Sequence, residues 1–296
     1  MNQKPTLKDT LIGYSYLLPA LIILGVFSVY PIIKSFFMSF YADYDFFKDI
    51  VHSYGFDNFI YIFQDTEFYK SLTNTFIFVI GVVPASISIS LVIAILLNSK
   101  IKFGKLFRTI YFLPFVTSVV AIAIVWQWIY HSEYGILNYF LGWFGISPIE
   151  WLNDPKWSMP ALIIMCIWKS LGYNIILFLA GLQNINPQYY LAAQIDGASK
   201  FKRFWHITVP LLSPTTFFVS IVVLINSFKV FDEVFALFNG RPGPGYSAQT
   251  IVYYIFEKFY NEWEFGIASA AAFVLFIIIF IFTLIQLYVG KRKVNY

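Results

Sequence analysis

"YYLAAQIDGASKFKRFWHITVPLL", residues 189–212, combines small side chains, a turn and three cations within 24 residues of an otherwise apolar chain. Pro187 suits the first turn of a helix. Residues 189–195 read as a short amphipathic helix. Asp196-Gly197 then breaks it, because glycine accepts a positive φ without steric cost and an aspartate can satisfy local amides. Ser199 is placed to cap a second helix, from Lys200 to about Ile207. Pro210 and Pro214 mark the entry to the next apolar run. The expected product is helix, sharp turn, helix, with Ala192, Ala193 and Ala198 small enough to let another surface approach. Lys200, Lys202 and Arg203 suit lipid headgroups or an acidic partner equally well.

Outward from this strip the chain is membrane-like. Its 296 residues are 59% hydrophobic and only 12% charged, with a mean hydropathy of +0.69. A soluble domain carries about 25% charged residues. A bilayer core about 30 Å thick needs about 20 apolar residues of helix. Six segments qualify: roughly 12–40, 73–97, 107–130, 158–182, 211–237 and 266–290. They are expected as helices, since lipid leaves no unpaired backbone group tolerable. The expectation is therefore an all-α polytopic membrane bundle of six transmembrane helices over 12–290, with the loop 183–210 between the fourth and fifth. Residues 1–11 and 291–296 form short polar ends. The first apolar run is too long for the core of a signal peptide and reads as a retained span.

Charge sets the direction. With the N-terminus inside, twelve of the 20 lysines and arginines fall in inner segments, six in outer ones, and two, Lys169 and Lys229, within spans. The positive-inside rule then puts both termini and the 183–210 strip in the cytoplasm of a multi-pass cell-membrane protein. Trp126, Trp128, Trp157 and Trp263 fall at outer boundaries, where amphipathic rings settle. The outer loops, about 41–72, 131–157 and the stretch around "NGRPGPG" (239–245), are large enough to meet soluble partners.

Several chemistries are excluded. No G-x-x-x-x-G-K-[ST] run is present, and "GRPGPGY" lacks the lysine and hydroxyl, so this chain does not bind ATP by that route. His52, His131 and His206 are far apart in sequence, against a histidine metal cluster. Cys166 is the single cysteine, so there is no disulfide framework. The modest net charge of +4 calls for no nucleic acid. No pattern supports catalysis by this chain.

The segment "LAAQIDGASKFKRFWHITVPLL" resembles the signature cytoplasmic loop of ABC importer permeases, of pattern E-A-A-x-x-D-G-A-x(8)-I-x-x-P. The matching residues are Ala192, Ala193, Asp196, Gly197, Ala198, Ile207 and Pro210. "YLLPALIILGVFSVYPIIKSFFMSF", "FKVFDEVFALFNGRPGPGYSAQTIVYYIFEKFY" and "GIASAAAFVLFIII" are similar to the first span, the end of the fifth span and the last span of the carbohydrate-uptake permeases. The resemblance implies a type I ABC importer permease fold. It also implies a homologous second permease, two ATP-binding cassette subunits that hold ATP and Mg, and an extracytoplasmic solute-binding protein. The loop of Leu191, Ala192, Ala193, Asp196, Gly197, Ala198, Lys200 and Pro210 would then couple to the ATPase. One departure is clear: Leu191 stands where the family carries a glutamate expected to contact that subunit.

Polar groups inside spans are the default candidates for a substrate pathway. Here they are Lys169, Asn174, Asn226, Ser227, Lys229, Asp232 and Glu233. Similar permeases place fourth-span contacts around a Gly-Tyr such as Gly172-Tyr173. Lys229 is expected near the outer end of its span, paired with Asp232 or Glu233 at helical spacing. Aromatic faces with amides and hydroxyls suit a sugar or oligosaccharide. The two lysines keep glycerol phosphate or a related polar solute open.

Overall fold

The structure is a computed structural model that describes residues 7–99, 102 and 104–293. Residues 1–6, Lys100 and 294–296, parts of the expected inner ends and inner charge cluster, lie outside the described residues. The chain forms a mostly helical polytopic membrane fold. Four helices are long and apolar enough to span a bilayer: Gly13–Met38, Thr66–Asn98, Pro155–Gln183 and Phe265–Lys291. Two bent pairs complete six when each pair counts as one span. Contacts divide the chain into two compact units.

One unit runs to Asp65 and takes in Ile255–Val274. Helices α1 (Leu7–Leu24) and α2 (Tyr30–Met38) are joined by a π-helical turn, Gly25–Val29. The wider turn lies just ahead of Pro31, which has no amide hydrogen to offer a regular helix. The first outer loop contains a feature not expected from its polar composition: an antiparallel hairpin, β1 (Tyr41–Asp45) and β2 (Ile50–Tyr54). Its turn is shaped by Asp45, whose Oδ1 accepts from the amides of Phe47 and Lys48, both at 3.1 Å. Helix α3 (Asp57–Ile62) follows. Buried Asn58 donates to the carbonyls of Ser39 and Tyr41 at 3.1 and 2.9 Å, fixing the chain where it leaves α2. Buried Lys258 pairs with Glu262 at 2.7 Å. Burial lowers its amine pKa, but the hydrogen bond and charge of Glu262 more than offset that and leave it raised.

The second unit comprises Thr66–Tyr254 and the last helix from Leu275 on. Its elements are α4 (Thr66–Asn98), α5 (Gly104–Val116), α6 (Val119–Ile129), α7 (Ile136–Gly142), α8 (Pro155–Gln183), α9 (Pro187–Ile195), α10 (Lys200–Arg203), α11 (Val209–Leu211), α12 (Ser213–Phe228) and α13 (Asp232–Leu237). Helices α14 (Ile251–Phe256) and α15 (Phe265–Lys293) complete the chain. Helix α8 is central, packing on α4, α5 and α12, while α6 packs on α13. Two apolar clusters lie along α8. One gathers Phe78, Trp126, Tyr130, Trp151, Leu162 and Met165. The other gathers Ala94, Leu97, Ile175, Phe178, Leu212 and Val219.

Two spans expected as continuous helices are broken. The segment 107–130 is α5 and α6, meeting at 104°. Pro114 removes a helical hydrogen bond in the last turn of α5, and Ser118 is extended, with ψ at 135°. The segment 211–237 stops at Phe228 and resumes at Asp232, with Lys229 at the C-cap. Its entry also bends, by 64° between Lys200–Leu211 and Ser213–Phe228. Each bent pair is apolar enough to pass together as one span, so hydropathy averaged over a span does not reveal the bend.

Gly172 is buried at the α5–α8 crossing. A Cβ there would meet the carbonyl oxygen of Tyr111 and the Cα of Phe112. Backbone cannot retreat as a flexible side chain can. We expect Gly172→Ala to destabilise the fold by about 1–3 kcal/mol, read as a lower midpoint in thermal unfolding of the purified protein. An unchanged midpoint would show that the crossing has slack.

Candidate functional site

A cavity of about 400 Å³ opens in the second unit. It lies along α8 between the two apolar clusters. Cys166, Lys169, Ser170, Tyr173 and Asn174 supply one wall, a spacing of three, four and seven residues that keeps them on one helix face. Lys169 is the central residue of the 29-residue α8, about 21 Å from either end at 1.5 Å per residue. Val222, Val223, Asn226 and Ser227 come from α12, and Lys229, Asp232 and Glu233 from the break and the start of α13. The ring of Phe115, near the end of α5, stacks on Tyr173 at 4.9 Å and 19°. This gives an aromatic wall beside the amides and charges.

Of the nine pathway candidates, Lys169, Tyr173, Asn174, Asn226, Ser227, Lys229 and Asp232 line this one cavity. Gly172 does not, because it faces α5. Glu233 is in the lining as well. Its Oε1 accepts from Lys169 Nζ at 2.7 Å, with side-chain exposures of 20% and 18%. The expected pairing of Lys229 with Asp232 or Glu233 is not what forms. Helical spacing does not apply across a helix that stops at Lys229, and among the described residues neither Lys229 nor Asp232 has an ion-pair partner. Asn174 is buried and, among the described residues, its Nδ2 is without a hydrogen-bond partner. A buried unpaired amide costs about 1–3 kcal/mol, so an acceptor brought to it would be favourable. Two cations and two carboxylates make the lining neutral overall.

The 189–212 strip folds as helix, turn and helix, and the turn has a specific construction. Asn186 caps α9 by accepting from the Gln188 amide at 2.9 Å. At the other end, Gly197 has φ of +76°. The Ala198 amide donates to Ala193 O at 2.8 Å and the Gly197 amide to Gln194 O at 3.1 Å. This is the paired-bond helix stop known as a Schellman motif, in which a left-handed residue follows the cap. It explains the spacing of Ala193, Gly197 and Ala198. It also corrects the role expected of Asp196: backbone bonds close the turn, and among the described residues the exposed Asp196 carboxylate makes no hydrogen bond or ion pair. Ser199 caps α10 by accepting from Lys202 N at 3.3 Å. The expected second helix is α10, a π-helical turn over Phe204–Thr208, and α11. Tyr190 and Thr208 hydroxyls, 3.0 Å apart, tie the two arms. Pro210 is half-buried near the start of α11. Leu191 and Ile195, one helical turn apart, stand 60% and 87% exposed, and Lys200, past the turn, is exposed as well.

A large open cavity inside a broken-helix membrane fold, with an exposed knuckle between two of its walls, is the anatomy of a transport subunit. Residues 58–295 match the family described as binding-protein-dependent transport system inner membrane component. The chain belongs to that family and is a multi-pass membrane permease subunit. It is 34% identical over 286 residues to the lactose transport system permease protein of Rhizobium radiobacter, covering 95% of this chain and 94% of that one. It is 32% identical over 293 residues to the trehalose/maltose transport system permease protein of Thermococcus litoralis, covering 99% and 98%. A chain of the solved bacterial alginate ABC transporter, in complex with an alginate pentasaccharide-bound periplasmic protein, superposes with a TM-score of 0.84. It is 26% identical, covering 98% of each chain.

The cavity's ion pair is testable by itself. Lys169→Met leaves Glu233 half-buried and unpaired, and Glu233→Gln does the converse. Each is expected to cost about 1–3 kcal/mol, below the fully buried range because the pair is partly solvated. The exchange Lys169→Glu with Glu233→Lys should recover most of the loss in thermal midpoint. Equal loss in the exchanged protein would show that packing, not charge, ties α8 to α13.

Proposed function

We propose that this chain is one permease subunit of an ATP-driven importer that carries a sugar or oligosaccharide delivered by an extracytoplasmic solute-binding protein. The observation that carries the reading is the neutral, aromatic-walled cavity with a free buried amide at Asn174. A carbohydrate offers hydroxyls to amides and carboxylates and a C–H face to rings such as Tyr173 and Phe115. Lys169 is engaged by Glu233, which leaves Lys229 alone to meet a phosphate ester beside two carboxylates, Asp232 and Glu233, that oppose a dianion. Related chains named for lactose and for trehalose/maltose transport point to the same cargo class.

The substrate pathway runs past Lys169, Tyr173, Asn174, Asn226, Ser227, Lys229 and Asp232. A homologous second permease completes the pore, and both termini and residues 183–210 face the cytoplasm. Two ATPase subunits there bind ATP and Mg and receive the knuckle of Leu191–Ala198. The exposed Leu191–Ile195 pair makes this contact apolar where the family pattern has an acid. The membrane domain is 12–290, between the short polar ends. Closure of the ATPases would shift the knuckle and rock the pore between inward- and outward-facing states around the cavity.

ATPase activity in proteoliposomes, stimulated by the loaded solute-binding protein, tests the reading. Neutral oligosaccharides should stimulate it and glycerol phosphate should not; the reverse order would overturn the cargo class. Asn174→Leu is expected to raise the half-saturating concentration for uptake about tenfold, by loss of one buried hydrogen bond. Gly197→Pro is expected to abolish ATP-driven uptake with membrane insertion intact, because proline is fixed near φ −65° and the turn requires +76°. Wild-type uptake in that variant would remove the knuckle from the coupling step.

A further inference from the structure

Residues 134–149, YGILNYFLGWFGISPI, carry no charged side chain, yet they lie between membrane segments. The hairpin of the preceding outer loop, by contrast, holds Asp43, Asp45, Lys48 and Asp49. Within the stretch, α7 is two-faced. Leu137 and Leu141 pack on the Trp126–Trp151 core. Ile136, Tyr139, Phe140 and Trp143, at spacings of three, four and seven, point away, with Trp143 67% and Phe144 80% exposed. The open rings brace one another: Trp143 meets Tyr139 at 5.4 Å and Phe140 at 5.1 Å.

This face is held rigidly. Buried Asn138 donates to Ser132 O at 3.0 Å and Ile149 O at 2.9 Å, and accepts from Ile149 N at 3.2 Å and Trp151 Nε1 at 2.9 Å. Gly135 sets the height. A Cβ there would meet the carbonyls of Ile129 and His131, so α7 starts flush with the end of α6. Helix α6 exposes Val120, Ile124, Val125 and Trp128, an apolar face on a membrane-spanning segment. Helices α6 and α7 contact one another, so the uncharged stretch follows directly on this apolar helix.

We propose that α7 lies in the lipid–water interface, with Tyr139, Phe140, Trp143 and Phe144 seated at the headgroup–acyl boundary. Aromatic, uncharged amphipathic surface of this kind partitions to that depth. A docking surface for a soluble protein carries a polar rim, and none of residues 134–149 is charged. Contact with α6, an apolar and exposed helix of a membrane-spanning pair, selects lipid over a soluble partner. The bilayer then fixes the height of α6. Gln127 of α6 in turn donates to Ala236 O and Leu237 O of α13 at 3.2 and 3.0 Å, so the carrier of Glu233 is referenced to the leaflet.

The single cysteine makes a direct test possible. Phe144→Cys and Glu150→Cys are each made in the Cys166→Ala chain, labelled with a polarity-sensitive fluorophore, and reconstituted in liposomes with the subunits that accompany the chain on purification. The label at 144 should lose most of its emission to a doxyl quencher placed near the lipid headgroup and little to aqueous iodide. The label at 150, on the first charged residue past the stretch, should do the opposite. Iodide quenching at 144 would overturn the proposal. So would shielding at 144 from both quenchers, which places the face against another subunit. Iodide quenching at 144 that disappears on adding the solute-binding protein would assign the surface to that partner instead.

Discussion

An ammonium at the middle of a membrane helix has to find its own counter-charge, and much of the second unit's architecture follows from how Lys169 does so. Lys169 is the central residue of α8, and its partner Glu233 comes from α13, 64 residues away. Glu233 can reach it only because the segment after α12 stops being helical at Lys229 and restarts at Asp232. A continuous helix through 211–237 would carry the acid at a different height and azimuth. The short α13 then needs its own termination, which Gln127 supplies from α6 through two carbonyls of its last turn. The ion pair, the break and the cap are one device, and the cavity is the space they hold open.

The sequence was most legible where physics is local and periodic. Four of the six apolar runs appear as single long helices, the 189–212 strip appears as two helices around a glycine turn, and eight of nine pathway candidates share a cavity. What was illegible depends on non-local partners. Hydropathy averages over Pro114 and Ser118 and reads one span where two helices cross at 104°. Lys229 has the right spacing to pair with Asp232 or Glu233 only if the helix continues. Gly172 beside Tyr173 invited a shared role, but adjacent residues on a helix point about 100° apart, and Gly172 serves the α5 crossing. The hairpin at 41–54 was missed because its two strands alternate poorly and its turn is specified by Asp45 rather than by a glycine.

The knuckle shows how a motif can be right for a reason other than the obvious one. Asp196 next to Gly197 reads as an aspartate that satisfies a turn. The backbone needs no such help: the amides of Gly197 and Ala198 already close the helix end. The carboxylate is left exposed, as are Leu191 and Ile195. Replacing the family's acid by Leu191 therefore alters the chemistry of the outward surface while leaving the turn's construction intact, since Leu191 takes no part in its hydrogen bonds.

The position of that knuckle in the chain carries a mechanical consequence. It joins α8 to α12, and both helices line the cavity. The arms are tied across their base by Tyr190 and Thr208 and bend by 64° into α12. A displacement applied at Gly197 would therefore reach two walls of the same cavity through short, hydrogen-bonded segments. The third wall, α13, is tied differently, through Glu233 to α8 and through Gln127 to α6. Relative motion of the walls would then load a strong polar link between them, the 2.7 Å contact of Lys169 with Glu233. A half-buried ion pair is suited to that place, because charge attraction at partial burial resists small displacements of α8 against α13.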